Sequence, residues 1–138
     1  MTYIAPYLTF NGDCREAMSF YKDCLGAELS LMTVGDSPGG DKVPADAKNK
    51  IIHAALTKEG LVLMASDNMG AGSATQGTTV NLMLNCSREE EIRRFFPELS
   101  AGGKVSHALK EEFWGSIFGD FTDKSGMRWM LNWDKPKA

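Results

Sequence analysis

The sequence predicts an α+β fold built from two βαβββ modules, in which a curved mixed sheet carries its helices on the outer face. The main observation is a degenerate repeat, since the strand and helix that open the chain recur 74 residues later. The corresponding pairs are Leu8 and Leu82, Phe10 and Leu84, Asn11 and Asn85, Glu16 and Glu90, Met18 and Ile92, Tyr21 and Phe95, and Leu25 and Leu99. A second observation is that three strand-length segments, separated by turn residues, follow each helical segment. Two such modules are expected to enclose a cleft, where a ligand would bind.

The first module is predicted to span residues 1–68. Residues 3–10 are rich in strand formers and end at an Asn-Gly turn, after which Asp13 and Glu16 have the spacing of a capping box. Apolar residues then recur at helical spacing until Gly26, a residue type common at helix C-termini. Three strands are predicted at 27–34, 51–57 and 61–66, the last two joined by a hairpin turn at 58–60. Residues 35–50 are expected to form a mobile loop, either a lid or a disordered segment.

The second module is predicted to span residues 77–135, after a connection rich in Gly, Ala and Ser. A strand at 78–85 leads into a helix whose start has the capping-box pair Ser87 and Glu90. Pro97 is expected to distort or end this helix, because proline lacks a backbone N–H. Three strands are predicted at 104–109, 112–121 and 127–133, with a turn at 123–126 before the last. Residues 1–138 together are predicted to form a single domain.

Composition and charge exclude several classes of function. A net charge of −3 and a pI near 5.4 argue against general binding to nucleic acid or to anionic membranes. No apolar run approaches the roughly 20 residues that a membrane helix needs, and the N-terminal residues lack the features of a signal peptide. Cys14 and Cys24 lie too far apart on one predicted helix to form a disulfide, and a cytoplasmic location is expected. The three cysteines are interpreted as small buried side chains, with a reactive thiol as the alternative.

Several segments, in this order and spacing, resemble a known family. They are YLTFNG (7–12), LGAE (25–28), IHA (52–54), LMASD (63–67), FWGSIFG (113–119) and TDKSG (122–126), followed by Trp129 and Asn132. This pattern resembles the vicinal oxygen chelate superfamily, which includes glyoxalase I, extradiol dioxygenases and bleomycin-resistance proteins. Within that superfamily it is most similar to the PhnB-like group, often labelled 3-demethylubiquinone-9 3-methyltransferase-like. The resemblance implies the two-module fold over nearly the whole chain.

The resemblance also implies positions where a divalent metal would be held by His, Glu or Gln. These positions fall on the first strand and on a later strand of each module, near Pro6, Val80, Ala54 and Met130. None of these side chains can ligate a metal, and their neighbours His53 and Asn81 are expected to face the opposite side of the sheet unless a bulge intervenes. We therefore expect no metal and no other cofactor, and His53 as the ligand if a divalent metal does bind. The other interpretation of His53 is a hydrogen-bonded histidine packed against a helix.

The second half contains the candidate ligand-binding residues. Alternation along its last strand is expected to turn Trp129, Leu131 and Trp133 toward the helix and their neighbours toward the cleft. A candidate catalytic base is Glu112, because a carboxylate against Trp114 can have a raised pKa. The alternative for this pair is a solvated hairpin end beside a core tryptophan. The predicted ligand-binding residues are Trp114, Phe118, Arg128, Met130, Asn132 and Asn81.

Two functions are compatible with these features. The first is binding of a small organic ligand without a catalytic metal, in the manner of the bleomycin-resistance branch. The alternative is a glyoxalase- or dioxygenase-type enzyme, a lyase or oxidoreductase, that uses a divalent metal or Glu112 as base. The methyltransferase label is not supported, because Gly70-Ala71-Gly72 lacks the strand–helix context of a nucleotide-binding turn. The resemblance further implies a homodimer.

Overall fold

The chain folds into two units with the same order of elements, which agrees with the predicted α+β fold. The computed structural model describes residues 1–70 and 72–136. Its first unit is Met1–Thr75 and its second begins at Gln76. In the described residues each unit contains one four-stranded sheet. No helix of the described residues is long and apolar enough to cross a membrane.

Unit 1 places its strands in the order β1-β4-β3-β2, with β1 parallel to β4 and the other pairs antiparallel. The elements are β1 (Tyr7–Phe10), α1 (Cys14–Leu25), β2 (Glu28–Thr33), β3 (Ile51–Lys58) and β4 (Leu61–Asp67). The predicted hairpin turn is confirmed, because Glu59 and Gly60 between β3 and β4 have φ angles of 39° and 51°. Two residues in this left-handed region match the twist of the flanking strands.

Helix α1 packs its apolar stripe onto one face of this sheet. Its buried residues are Cys14, Ala17, Met18, Tyr21, Cys24 and Leu25. The sheet contributes four almost fully buried residues to this interface, Ala54, Leu56, Leu63 and Ala65. The helix ends at Gly26, whose φ of 63° and ψ of 38° place it in the left-handed conformation that glycine adopts without strain.

The N-terminus of α1 is capped by a different residue from the one predicted. Within the described part of the chain, the Asp13 side chain makes no cap hydrogen bond. The buried Asp67 at the end of β4 replaces it, because its Oδ1 accepts the Cys14 backbone N–H at 2.9 Å. Its Oδ2 accepts the Ile51 backbone N–H at 2.8 Å. One carboxylate therefore joins α1, β3 and β4.

Unit 2 repeats the arrangement, with strand order β5-β8-β7-β6 and a parallel β5–β8 pair. The elements are β5 (Leu82–Asn85), α2 (Glu89–Ser100), β6 (Lys104–Glu111), β7 (Ser116–Thr122) and β8 (Arg128–Asp134). Ile92, Phe95, Phe96 and Leu99 of α2 are buried, as the helical spacing predicts. Phe96 meets Phe121 of β7 edge to face, with 5.1 Å between ring centroids. Such aromatic pairs stabilise a core beyond the area that they bury.

Several predicted boundaries are wrong in detail. Of the strands expected at 3–10 and 78–85, only the last four residues of each are in a strand. Residues 112–115, expected to begin a strand, form a turn between β6 and β7. Helix α2 does end near Pro97, as expected, since its last residue is Ser100. The capping box is displaced by one position, because the Ser87 backbone N–H donates to Glu91, at 2.9 Å, and Arg88 is the N-cap.

Residues 35–50 contain two short 3₁₀ helices, Gly40–Lys42 and Ala45–Ala47. The ends of the segment are joined, because Val34 donates its backbone N–H to the Lys50 carbonyl at 2.8 Å. Gly35 likewise donates to the Lys48 carbonyl at 3.0 Å. The predicted mobility of this segment stays a prediction.

Candidate functional site

The sheet of unit 2 has one face under α2 and an opposite face that carries polar and aromatic side chains. On β7 and β8, the residues Ile117, Gly119, Phe121, Trp129 and Leu131 are buried on the α2 side. Their neighbours Phe118, Asp120, Arg128 and Met130 alternate to the opposite face and are half-buried. We call this second side the open face of unit 2. The alternation expected for the last strand is therefore present.

A groove of about 700 Å³ lies along β6, the turn after it and β7. Its lining includes His107, Lys110, Glu112, Trp114, Phe118 and Asp120. Trp114 is 57% exposed, so the interpretation of this residue as a core tryptophan is wrong. Glu112 lies in the turn rather than on a strand, and its backbone N–H donates to the Ser116 carbonyl at 2.7 Å. The groove thus combines two aromatic side chains with charged and hydrogen-bonding groups.

The predicted ligand-binding residues do not all meet in this groove. Trp114 and Phe118 line it, together with the candidate base Glu112. Arg128, Met130 and Asn132 lie on the open face but along β8. Asn81 precedes β5 and is exposed, and its Oδ1 accepts the Arg128 Nε–H at 3.2 Å. Ligand binding by these residues stays a prediction.

Asn132 belongs to a hydrogen-bonded cluster at the end of β8. Its side-chain amide donates to Asn85 Oδ1 at 3.3 Å and to Asp134 Oδ1 at 3.2 Å. The Ser116 hydroxyl also donates to Asp134 Oδ1. These two donors, Ser116 first and Asn132 second, hold the pKa of the Asp134 carboxyl below its usual value. Asn132 is itself buried, so its amide is largely occupied by protein partners.

The sequence analysis missed a histidine–carboxylate pair in the groove. His107 Nδ1 lies 2.9 Å from Asp120 Oδ1 and 3.1 Å from Oδ2. His107 sits between two register shifts in the β6–β7 pairing, and such bulges re-aim side chains. The sequence does carry a signal for this feature, because Gly119 inside a strand marks a close approach of another backbone.

In unit 1, His53 lies on the face opposite α1. Ala54 is fully buried beneath the helix, so the neighbouring His53 side chain points away from it. His53 Nδ1 is 3.3 Å from the Tyr7 hydroxyl, and the two ring centroids are 5.9 Å apart. The expected hydrogen bond is therefore present, whereas the expected packing against a helix is wrong. The faces of β3 are therefore the reverse of those expected, with His53 and not Ala54 turned away from the helix.

The four residues near which the resemblance implies metal ligands have no metal-binding side chain. Pro6 uses its carbonyl to accept the Met64 backbone N–H, at 3.1 Å. Ala54 lies under α1, Val80 is exposed before β5, and Met130 offers no suitable donor. Across residues 1–70 and 72–136, no group of three or more His, Cys, Asp or Glu side chains is placed to hold a metal ion. These four positions thus supply no metal ligand, and the absence of a bound metal stays a prediction.

Comparisons with known proteins assign the family. The family model described as Glyoxalase/Bleomycin resistance protein/Dioxygenase superfamily matches residues 3–131. Protein YjdN of Escherichia coli is 36% identical, and the match covers 94% of this chain and 93% of that protein. The crystal structure of protein PA1353 from Pseudomonas aeruginosa is 42% identical, with a TM-score of 0.87, and covers 99% of this chain and 100% of its own.

A second solved structure identifies the group within the family. It is described as a putative 3-demethylubiquinone-9 3-methyltransferase, PhnB protein, from Bacillus cereus. It is 28% identical with a TM-score of 0.77, and the match covers 96% of this chain and 99% of that one. The two-unit topology and the order of the segments agree with these similarities. The chain therefore belongs to the glyoxalase/bleomycin resistance protein/dioxygenase superfamily, and within it to the PhnB-like group.

Proposed function

We propose that this protein binds a small organic molecule in the groove on the open face of unit 2. The observation that supports this most is the combination of Phe118 and Trp114 with hydrogen-bonding side chains in one concave surface. Its volume of about 700 Å³ falls within the range of sites for small ligands. Aromatic side chains contribute apolar contact area, and a few polar groups fix the orientation of the ligand.

The proposal requires no metal, because the site would act by shape, apolar contact and hydrogen bonding. Arg128, Met130 and Asn132 extend the same face beyond the groove, where they would contact a larger ligand. Superfamily members often bind small molecules, which is consistent with this role. We also propose that the two units act as a single domain and that the protein is a homodimer. Sedimentation that returns the 15.1 kDa mass of one chain would contradict the dimer.

A fragment screen by thermal shift tests the groove. A ligand that binds only the folded protein stabilises it by mass action and so raises the melting temperature. At a ligand concentration one hundred times its Kd, the free energy of unfolding rises by about 2.7 kcal/mol. Phe118→Ala removes a groove wall and is expected to weaken binding roughly tenfold. Met83→Ala is the matched control, since Met83 pairs with Met130 on the open face, is exposed and lies outside the groove lining. Equal affinities in the wild type and Phe118→Ala would contradict the proposal.

One observation favours the alternative enzymatic function. Glu112 lines the same groove, beside the exposed Trp114, where it would meet a bound molecule. If the protein removes a proton from its ligand, Glu112→Gln is expected to lower turnover by about 100-fold or more and to leave affinity nearly unchanged. A variant with full turnover would exclude Glu112 as the base.

A further inference from the structure

We propose that His107 is the polar anchor of the groove, with Asp120 as its positioning residue. In this proposal the imidazole accepts a hydrogen bond at Nε2 from a hydroxyl or N–H group of a small planar aromatic ligand. The inference rests on the proposed function, because it names the class of ligand that the same groove takes. Neither residue belongs to the positions at which the superfamily places a metal.

Asp120 controls which nitrogen of His107 is available. The two carboxylate oxygens lie 2.9 and 3.1 Å from Nδ1, so this nitrogen is held by an acceptor. An ionised carboxylate only accepts hydrogen bonds, and Nδ1 must therefore carry a proton. In a neutral imidazole with Nδ1 protonated, Nε2 is an acceptor. The pair thus presents a hydrogen-bond acceptor in a groove that both residues line.

The backbone around His107 is shaped for this position. The β6–β7 register shifts on both sides of His107, between Val105 and His107 and again between His107 and Lys110. Opposite this bulged segment stands Gly119, where an added Cβ would lie 2.9 Å from the His107 carbonyl oxygen. The same Cβ would lie 2.6 Å from Phe96 Cε2 of α2, so the absence of a side chain lets both β6 and α2 approach β7. The backbone of His107 is therefore held by the pairing of β6 with β7, and its side chain is 77% exposed.

The remaining lining residues define the ligand class. Phe118 and Asp120 are two residues apart on β7, so their side chains point to the same face of the sheet, the open face. Trp114 adds a second aromatic surface, and a planar apolar ligand would stack against such rings. Lys110 and Glu112 are the other charged groups that line the groove, and with the ionised Asp120 they give it one net negative charge, which disfavours an anionic ligand. A neutral aromatic molecule with one donor group satisfies these features.

A matched pair of probes tests the anchor. 2-Naphthol and 2-methoxynaphthalene share the aromatic part, and only 2-naphthol donates a hydrogen bond. At about pH 8, where imidazole is normally neutral, the wild type is expected to bind 2-naphthol about three- to tenfold more tightly. His107→Phe keeps a ring of similar size and removes the acceptor, so both probes should bind this variant equally.

The positioning role of Asp120 has its own readout. Asp120→Asn places an NH₂ group beside Nδ1, so the imidazole is no longer confined to the form that accepts at Nε2. The preference for 2-naphthol should then fall toward that of His107→Phe. Nitrogen-15 NMR of the wild-type imidazole should show the proton on Nδ1, without any ligand present. Asp23→Asn is the matched control, because Asp23 is exposed on α1 of unit 1 and lies outside the groove lining.

Three results would overturn the inference. They are equal affinity of the wild type for the two probes, a proton on Nε2 in the neutral wild-type imidazole, and no binding of either probe. The fragment screen with Phe118→Ala separates this failure from failure of the proposed function. If fragments bind the groove but show no dependence on His107, the groove remains the ligand site and the anchor is wrong.

Discussion

His53 of β3 and Asp120 of β7 occupy the same position in the two sheets. In unit 1, Leu8 pairs with Ala65 and Ala65 pairs with Ala54, the residue after His53. In unit 2, Leu82 pairs with Trp129 and Trp129 pairs with Phe121, the residue after Asp120. His53 and Asp120 each face away from the helix of their unit. A polar residue at this position is therefore a shared feature of the two halves.

The partner of that residue differs between the units. His53 meets the hydroxyl of Tyr7 from β1, whereas Asp120 holds the imidazole of His107 from β6. The two halves thus share a scaffold position and use it for different chemistry. His107 and Asp120 line the groove, and the proposed site therefore lies on unit 2.

Removal of the Asp67 carboxylate is expected to destabilise the protein by about 2–4 kcal/mol. Asp67→Ala leaves two backbone N–H groups, those of Cys14 and Ile51, without their acceptor in a buried region. Urea unfolding followed by circular dichroism measures the change. Asp13→Ala is the matched control, since the Asp13 side chain makes no cap bond among the described residues, and it should change stability by less than about 0.5 kcal/mol. Equal losses in both variants would contradict the assignment of the cap.

Gly119→Ala is expected to destabilise the protein by about 1–3 kcal/mol and to displace His107. The added methyl group would collide with the His107 carbonyl oxygen and with Phe96, at 2.9 and 2.6 Å. Gly77→Ala is the control, because no heavy atom of the described residues lies within 4 Å of a Cβ built there. Thermal unfolding of both variants, with NMR of the His107 ring, provides the measurement. A stable Gly119→Ala protein with an unchanged His107 signal would contradict the close approach of β6.

The thiols of Cys14 and Cys86 are expected to resist alkylation at pH 8. Burial raises the pKa of both from the ordinary 9.0 to about 12, with the charge of Asp67 adding to the effect at Cys14 and that of Glu91 at Cys86. Iodoacetamide labelling followed by mass spectrometry should modify them slowly in the folded protein and quickly in urea. Rapid labelling of the folded protein would support the alternative of a reactive thiol.

The same shifts predict that stability falls as the pH rises from about 9 to 12. In that range the unfolded chain loses the thiol protons while the folded chain retains them, so alkaline conditions favour unfolding. Urea unfolding at successive pH values measures the slope of the free energy of unfolding against pH. Cys86→Ala removes one of the two groups and should flatten it. An identical slope in this variant would show that other groups dominate the alkaline range.

Removal of metal ions is expected to change neither stability nor ligand binding. The positions Pro6, Val80, Ala54 and Met130 supply no side-chain donor of the kind that holds a divalent cation. Melting temperatures before and after dialysis against EDTA should agree within about 1 °C. Stoichiometric metal in the dialysed protein, lost together with function in His53→Ala, would contradict this expectation.

Local patterns predicted much of the fold. The stripe Ile92, Phe95 and Leu99 is buried as its spacing indicates, and the turn at Glu59-Gly60 has the expected positive φ angles. These features depend on residues that are close in sequence. Asp67 as the cap of α1 was not predicted, because that bond joins residues 53 positions apart.

The polar pair in the groove was missed for a related reason. The repeat was found at an offset of 74 residues, but His53 and Asp120 are 67 residues apart. The two offsets differ because the segment 35–50, which joins β2 to β3 in unit 1, is much longer than the four-residue connection between β6 and β7 in unit 2. A constant offset therefore aligns the first strands and helices and misaligns the later strands. The bulges that place His107 beside Asp120 depend on strand pairing, which spacing alone does not reveal.

The Asp67 bond has a consequence for how the protein is made. Cys14 at the head of α1 leaves the ribosome 53 residues before the carboxylate that holds it. At roughly 5–20 residues per second, this interval lasts about 3–10 seconds. An isolated segment of 12 residues, the length of α1, is only marginally helical in water. The nascent chain therefore exposes its first apolar stripe to chaperones until β4 has been translated.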